Sequence, residues 1–269
     1  MKLWEMSSNR KSGDIKKKVE EFTASEDVKY DERLAKYDIL GSLAHVENLN
    51  DIDVLTDEET EQLRSSLIDL LETDISLDSR DEDIHTKIES LLTEKLGKTG
   101  EKLHTGRSRN DQILVDLRLY AKEKILTIGN LLDKVVSEFC SFSEKFKSSP
   151  MVGYTHTRKA MPSSVGLWGC SFAEAFLDDL QMMKYALQIV DKNPLGAGAG
   201  YGVPLSLNRE LSSEVLGFSG PIENPLYAVS SRGKVEFFLL SAAASIHLDL
   251  ARLSTDLIFF SGEEFGFFE

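Results

Sequence analysis

Apolar residues recur every three or four positions along three long segments of the chain, at about residues 109–147, 162–191 and 229–261. This spacing places the apolar side chains on one face of an α-helix, so each segment is predicted to form a long amphipathic helix. At about 1.5 Å per residue the first helix would be roughly 55 Å long. Helices of this length are typical of a bundle larger than a compact four-helix domain.

Shorter helical patterns fill the N-terminal part of the chain, where no proline falls between Met1 and Ser149. Thr56 and Glu59 have the spacing of a capping box, which indicates a helix start, and Gly97 is typical of a helix end. Short helices are predicted at about 14–22, 31–49, 57–71 and 81–96. The only place where short strands are expected is within 193–207.

Together these elements predict a mainly all-α protein with a small helical domain at 1–108 and a long-helix bundle domain at 109–269. The most apolar stretch, residues 237–260, is interrupted by polar side chains, so it is interpreted as a buried bundle helix and not as a membrane span. These polar side chains are His247, Asp249, Arg252 and Asp256. Residues 1–14 are polar and lack the apolar core of a signal peptide.

Charge and cysteine content narrow the class of protein. The 269 residues carry a formal net charge of −14, which disfavours binding to nucleic acid or to an anionic membrane. Positive charge is concentrated at Lys102–Arg109 and at Arg158–Lys159, which favours a small anionic ligand; solvated helix ends are the alternative. Cys140 and Cys170 are interpreted as core residues of a reducing compartment, and no ligand spacing for zinc occurs.

Two polar segments each run directly into a long helix. Lys102–Gln112 precedes the first long helix, and Gly153–Pro162 precedes the second, with Pro162 expected in its first turn. The N-terminus of a helix offers free N–H groups and a positive dipole end to an anion. Two such ends with Thr, His and Arg suggest a site for a multiply charged carboxylate, although spacing alone does not show that the two ends meet.

The glycine-rich segment Pro194–Gly202 invites comparison with nucleotide-binding loops. Its glycines fall at every second position, it lacks the G-x-G-x-x-G spacing, and no Lys-Ser or Lys-Thr pair follows. A connection in which two helices approach closely is therefore preferred to a nucleotide site.

Motifs along essentially the whole chain resemble argininosuccinate lyase of the fumarase/aspartase superfamily. The segment Lys102–Gln112, which contains Thr-Gly-Arg-Ser-Arg-Asn-Asp-Gln, is the most specific of them. The resemblance extends over Lys2–Trp4, Tyr37–His45, Asp83–His85, Gly153–His156 with Met161–Pro162, Asn193–Gly202, Leu216–Phe218 and Glu264–Phe267.

The resemblance implies a cytoplasmic enzyme that cleaves argininosuccinate to arginine and fumarate by β-elimination, as a step of arginine biosynthesis. It implies no metal or organic cofactor, and a mostly helical homotetramer whose active sites each take residues from three subunits. A base would remove the proton beside a carboxylate, and an acid would protonate the departing guanidino nitrogen. No nucleic-acid or membrane partner is implied.

The resemblance also assigns roles to individual residues. His156 is the expected catalytic acid or base, with the choice between the two left open, and histidine suits proton transfer near neutral pH. The expected substrate-binding residues are Ser25, Ser108, Arg109, Asn110 and Thr155. Ser25 lies two residues further from Asp31 than the family pattern has it, so a helix-cap role is an equal alternative. His104 is expected to bond locally, and His45, His85 and His247 are interpreted as packing or surface residues.

The family's third signature, a loop with the catalytic serine and substrate-binding lysine and asparagine, is not found up to Glu269. The 269-residue chain by itself is therefore expected to be inactive or nearly so, as an N-terminal portion of such a lyase. A superfamily lyase acting on adenylosuccinate or fumarate is a second reading. A third is a catalytically silent oligomeric scaffold of the same fold.

Overall fold

The computed structural model describes residues 30–77 and 81–268, which form mainly α-helices and one antiparallel β-hairpin. This confirms the mainly all-α fold class. The helices are α1 (Ala35–Asp51), α2 (Asp57–Leu71), α3 (Ile84–Leu96), α4 (Lys98–Lys102), α5 (Arg109–Phe146), α6 (Val165–Val190), α7 (Arg209–Val215), α8 (Pro225–Ser230) and α9 (Lys234–Phe260). A 3-10 turn, Glu32–Leu34, precedes α1. The helix predicted at 14–22 lies outside the described residues.

The ends of α2 and α3 follow the predicted capping chemistry. The Thr56 side chain accepts a hydrogen bond from the Glu59 N–H, and the Glu59 carboxylate accepts one from the Thr56 N–H at 3.0 Å, which confirms the capping box. Helix α3 starts three residues later than 81, because the Asp83 carboxylate caps it by accepting from the Thr86 N–H at 2.7 Å. Gly97, with φ of 58°, ends it as expected.

The chain divides into two compact units, each with its own apolar core. The first unit comprises the described residues up to Tyr120 together with Asp191–Arg232, and the second comprises Ala121–Val190 with the residues from Gly233 onward. The division falls inside α5, whereas the sequence placed it at 108/109; that domain boundary stays a prediction. Residues 191–232 return to the first unit because their glycine-rich segment is hydrogen-bonded to the start of α5.

In the first unit, α1, α2 and α3 enclose a core that includes the fully buried Leu49, Leu63 and Ile88. In the second unit, the predicted apolar faces of α5, α6 and α9 pack together around Phe176. Helix α6 approaches α5 closely at Gly166, because this residue has no side chain. A Cβ atom added there would lie 2.5 Å from the carbonyl oxygen of Ser143. The apolar residues that recur every three or four positions in the three long helices therefore form one shared core.

Strands occur where the sequence did not place them. Strand β1 (Pro150–Thr155) pairs with β2 (Arg158–Ser164), and Val152 lies opposite Pro162. Pro162 is therefore a strand residue, not the first turn of a helix, and α6 begins at Val165. A two-stranded sheet leaves an edge on each strand where a missing N–H is tolerated. Within 193–207 the structure has no strand, and only an isolated bridge joins Asn193 to Pro221.

Two further expectations are wrong for the described chain. Cys140 and Cys170 are both exposed on their helices, not part of the core. Helix α9 is not a buried helix either, because its buried side chains are limited to Val235, Ala242, Ile246 and Phe260. Among the described helices, α9 is the one that is long and apolar enough to cross a membrane, judged by length and composition alone. Of its 18-residue apolar stretch, 11% is buried, and a core helix can meet the same criterion.

Candidate active site

The cationic segment Lys102–Gln112 borders a cavity of about 780 Å³ in the first unit. Its walls come from the start of α3, the turn before α5 and the glycine-rich segment. Three cationic or ionisable side chains of the segment, His104, Arg107 and Arg109, face two acidic ones, Glu82 and Glu89. The complete lining is Glu82, Thr86, Glu89, His104, Gly106, Arg107, Ser108, Arg109, Gly198, Ala199, Val203, Pro204 and Leu205.

Buried side chains of α1 hold this segment in place. Arg107 donates from Nη1 to the Ser42 hydroxyl at 2.8 Å, and His45 donates from Nε2 to the Thr105 carbonyl at 2.8 Å. Burial, together with the positive charge of Arg107, lowers the pKa of His45 to about 3, so its ring is neutral near pH 7. His45 is a buried packing residue, as expected, but only its Nε2 is satisfied, because Nδ1 has no hydrogen-bond partner among the described residues.

Arg109, the first residue of α5, is only partly committed to protein partners. Its Nη2 donates to the Thr86 hydroxyl at 3.1 Å, and its Nε lies 3.3 Å from an Asp83 oxygen. The third nitrogen, Nη1, is buried and has no hydrogen-bond partner among the described residues, while the side chain as a whole is 27% exposed and lines the cavity. A guanidinium that two contacts orient beside a cavity, and that has donor capacity left over, suits a carboxylate ligand.

Ser108 and Asn110 flank Arg109 at the same helix end. The Ser108 hydroxyl accepts from the Asn110 backbone N–H at 3.3 Å and from its side-chain Nδ2 at 3.2 Å. Both residues are half-buried. The structure thus brings three of the predicted substrate-binding residues together, and it shows that Ser108 also caps the helix.

Asp111 is a residue of this site that the sequence interpretation missed. Its carboxylate is fully buried and accepts from three backbone N–H groups, of Ser108 at 2.9 Å, Gly196 at 3.1 Å and Gly198 at 2.8 Å. Burial raises the pKa of Asp111, although these hydrogen bonds oppose the effect. The sequence feature that could have indicated this role is a carboxylate within a cationic segment. Two of its three N–H partners, however, lie 85 and 87 residues further along the chain.

His104 is paired outside its own segment, since its Nδ1 lies 2.8 Å from an oxygen of Glu89 on α3, so the expected local bond is not the contact that forms. Behind the cavity, His85 Nδ1 lies 3.0 Å from Asp38 Oδ1 and 3.4 Å from Asp116 Oδ2, and all three residues are buried. Two carboxylates and an imidazole could ligate a metal ion, with donor atoms within 4.8 Å of one another. A hydrogen bond between the His85 ring and the Asp38 carboxylate accounts for the same arrangement without a metal ion.

The two carboxyls of this cluster titrate differently. Burial raises the pKa of Asp38, but the hydrogen bond and charge of His85 and the charge of Arg107 outweigh it, so that the pKa is lowered. Burial and repulsion from Asp38 raise the pKa of Asp116 well above its usual range. Asp116 forms no hydrogen bond among the described residues that would offset the burial.

The Asp116→Asn variant is expected to change how stability depends on pH. A raised pKa in the folded state means that stability is full below the unfolded pKa of about 4 and is lost as pH rises through the folded pKa. We expect the free energy of unfolding of the unsubstituted chain to fall relative to that of Asp116→Asn as pH rises from 4 to 8. Urea unfolding at several pH values measures this. Asp133→Asn, an exposed position on the same helix, is the control, and a difference that stays constant with pH would contradict the expectation.

Thr155 and His156 lie on the hairpin of the second unit. Thr155 pairs with Arg158, so His156 and Thr157 form a two-residue turn, with φ of 52° and 60°. Both values fall in the left-handed region, which is costly for a β-branched residue such as Thr157. The turn presents the exposed His156 ring at its tip, and backbone strain of this kind is common at functional sites.

The predicted site residues therefore fall into two groups. Ser108, Arg109 and Asn110 belong to the first compact unit, and Thr155 and His156 belong to the second. Ser25 lies outside the described residues.

Comparison with known proteins gives a consistent result. A protein-family model described as "Lyase" matches residues 10–269. Argininosuccinate lyase of Thermotoga neapolitana is 42% identical over 99% of this chain, and that of Bacteroides thetaiotaomicron is 40% identical over 99%. The chain spans 67% and 59% of the lengths of these two relatives.

Solved structures agree on the fold. A crystal structure of EDDS lyase in complex with formate matches 87% of this chain and 47% of its own, with a TM-score of 0.80 and 25% identity. A fumarate lyase:delta crystallin from Brucella melitensis matches 87% of this chain and 57% of its own, with a TM-score of 0.73 and 14% identity. At 14% identity the second likeness speaks for the fold alone.

Proposed function

Because the chain belongs to the argininosuccinate lyase family of the fumarase/aspartase superfamily, we propose that it forms part of an enzyme that cleaves argininosuccinate to arginine and fumarate. The observation that carries this proposal is Arg109, whose guanidinium is oriented by Thr86 and Asp83 at the N-terminus of α5 and lines the cavity. Arginine biosynthesis in the cytoplasm is the proposed setting.

In this proposal the cationic segment binds a carboxylate of the succinyl group. β-Elimination removes the proton beside that carboxylate, so negative charge builds up on its oxygens before the carbon–nitrogen bond breaks. Arg109, Asn110 and the N–H groups that begin α5 are donors oriented in advance for this charge, which is the most effective form of electrostatic stabilisation. The departing guanidino nitrogen takes a proton, which completes arginine and leaves fumarate.

His156 is the proposed proton-transfer group, with Thr155 beside it as a substrate contact. The ring is exposed at the tip of a two-residue turn, so it can reach a substrate that the rest of its own unit does not enclose. Whether it gives or takes the proton is left open by its position. Its exposure agrees with a site completed by other parts of an assembly.

We also propose that the protein works as a homotetramer with active sites shared between subunits. Helices α6 and α9 carry large apolar side chains that are at least half exposed in the single chain: Leu167, Leu177 and Tyr185 on α6, and Phe237, Leu240, Leu248 and Ile258 on α9. Contiguous exposed apolar surface of this kind commonly marks a protein–protein interface. Light scattering of the purified chain tests association, and a monomer at micromolar concentration would speak against it.

The direct test is fumarate release from argininosuccinate, followed by ultraviolet absorbance. We compare the 269-residue chain with an extended protein, in which the chain is joined to the part of the Thermotoga neapolitana relative that lies outside the match. Turnover is expected from the extended protein, which has the full length of the relative. If the extended protein is folded and cleaves adenylosuccinate but not argininosuccinate, the proposed substrate is wrong.

Arg109→Gln is expected to weaken binding of succinate, a stable dicarboxylate, by about 10- to 100-fold, because a hydrogen bond to a charged group is worth roughly 1.5–3 kcal/mol. Isothermal titration calorimetry on the folded chain gives the dissociation constant. Arg64→Gln is the matched control, since Arg64 is paired with Glu47 and Glu61 on the surface of the same unit. Equal affinity of both variants for succinate would remove Arg109 from the proposed site.

A further inference from the structure

The glycine loop (Pro194–Gly202) forms one wall of the cavity without contributing a charged side chain. Gly198 and Ala199 line the cavity, and Val203, Pro204 and Leu205 continue the wall. The loop contains four glycines with positive φ: Gly196 (85°), Gly198 (59°), Gly200 (111°) and Gly202 (75°). Such a backbone has many alternative conformations in the absence of external contacts, because glycine restricts its chain least.

Several side chains from outside the loop hold it: Asn193 Oδ1 accepts from the Leu195 N–H at 2.9 Å, and Leu195 and Ala197 are buried in apolar clusters. Arg209 donates from Nε to the Leu195 carbonyl at 3.1 Å, and the carboxylate of Asp111 accepts from Gly196 and Gly198. At Gly198 the backbone also has little room, since an added Cβ atom would lie 2.9 Å from a methyl carbon of Val203. Asp111 thus provides the hydrogen bonds that tie the loop to the helix end bearing Arg109, while Leu195 of the loop belongs to the same apolar cluster as Val115 further along α5.

The two carboxylate oxygens of Asp111 accept hydrogen bonds from different segments of the chain. Oδ1 accepts from the Ser108 N–H, which shapes the turn before α5, and Oδ2 accepts from the two glycines of the loop. One buried carboxylate therefore contacts two segments that line the same cavity. All three donors are backbone N–H groups, so the contact does not depend on the side chains of the loop.

We infer that Asp111 is a positioning residue that holds the glycine loop against the cationic segment, and that carboxylate binding in the cavity depends on this contact. The part that concerns ligand binding rests on the proposed function. The affinity for the ligand is higher when the walls of the cavity are already ordered, because ordering a loop on binding costs free energy.

The test substitutes Asp111 by Ala in the full 269-residue chain. Alanine has no acceptor atom, so both loop N–H groups lose their partner, whereas an amide could keep its one oxygen on the loop side. Amide hydrogen exchange at Gly196 and Gly198, followed by NMR, is expected to become about 10- to 100-fold faster. The dissociation constant for succinate is expected to rise about tenfold at a temperature at which the variant is folded.

Asp179→Asn is the matched control, because Asp179 is a buried carboxylate on α6 of the second unit and has no hydrogen bond to the loop. It is expected to leave glycine exchange and succinate affinity unchanged. Asp111→Ser, which leaves room for water beside the loop amides, serves if Asp111→Ala does not fold, with the same two expectations.

The outcomes separate the inference from the proposed function. Unchanged exchange at both glycines in the Asp111 variant overturns the positioning role. Faster exchange with unchanged succinate affinity limits the role to the fold and overturns its link to binding. If the unsubstituted chain does not bind succinate, the proposed function fails at this cavity, while the exchange data still decide whether Asp111 holds the loop.

Discussion

His156→Asn is expected to lower kcat of the extended protein by about 10²- to 10⁴-fold, the usual contribution of a general acid or base. The free energy of unfolding should change little, because the ring is exposed and asparagine adopts positive φ more readily than most residues. A large loss of rate with no loss of stability is the result that separates a chemical role from a structural one. Fumarate release and thermal unfolding of the same samples give both quantities.

The histidine at position 247 provides the control for this substitution. It is exposed on α9, and its Nδ1 lies 2.8 Å from the Ala243 carbonyl of the same helix. His247→Asn is expected to keep at least half of the activity. If His156→Asn retains a similar share, proton transfer must be assigned to another residue, even though the family assignment of the chain would stand.

Phe176→Ala is expected to destabilise the second unit by about 3–5 kcal/mol, the range found when a buried phenylalanine is truncated. Phe176 is fully buried in the core formed by α5, α6 and α9, and its ring centroid lies 6.0 Å from that of Phe139. The loss combines the apolar area returned to water with a cavity that the long helices cannot close. Urea unfolding, followed by circular dichroism, measures the change.

Leu177→Ala is the neighbouring control, because Leu177 is 50% exposed and lies on the outer side of α6. At dilutions where light scattering shows a monomer, we expect its effect to stay within about 0.5 kcal/mol. Equal destabilisation by the two variants would mean that the side of α6 assigned to the core is wrong.

Much of the helical structure can be predicted from local pattern. The Thr56–Glu59 capping box, the Gly97 helix end and the start of α5 at Arg109 all depend on residues a few positions apart, so the sequence reveals them directly. Pro162 shows the limit of such reasoning. Its place in β2 depends on pairing with Val152, which helix-start statistics do not contain.

The exposed cysteines and the exposed face of α9 have a related cause. Apolar periodicity indicates which side of a helix is apolar, but it does not indicate what covers that side. Cys140 and Cys170 were assigned to the core from helical position alone, and the structure places both outside it. Whether one side of a helix is exposed depends on which elements pack against it, and this is determined by the tertiary structure.

The sequence by itself determined the helical class, the family resemblance and the identity of the cationic segment, because each rests on residues close together along the chain. Only the tertiary structure decided that Asp111 meets Gly196 and Gly198, and that His85 lies between Asp38 and Asp116. These contacts join segments that are distant along the chain. No local spacing encodes them, since they form only when the burial of apolar faces brings the helices together.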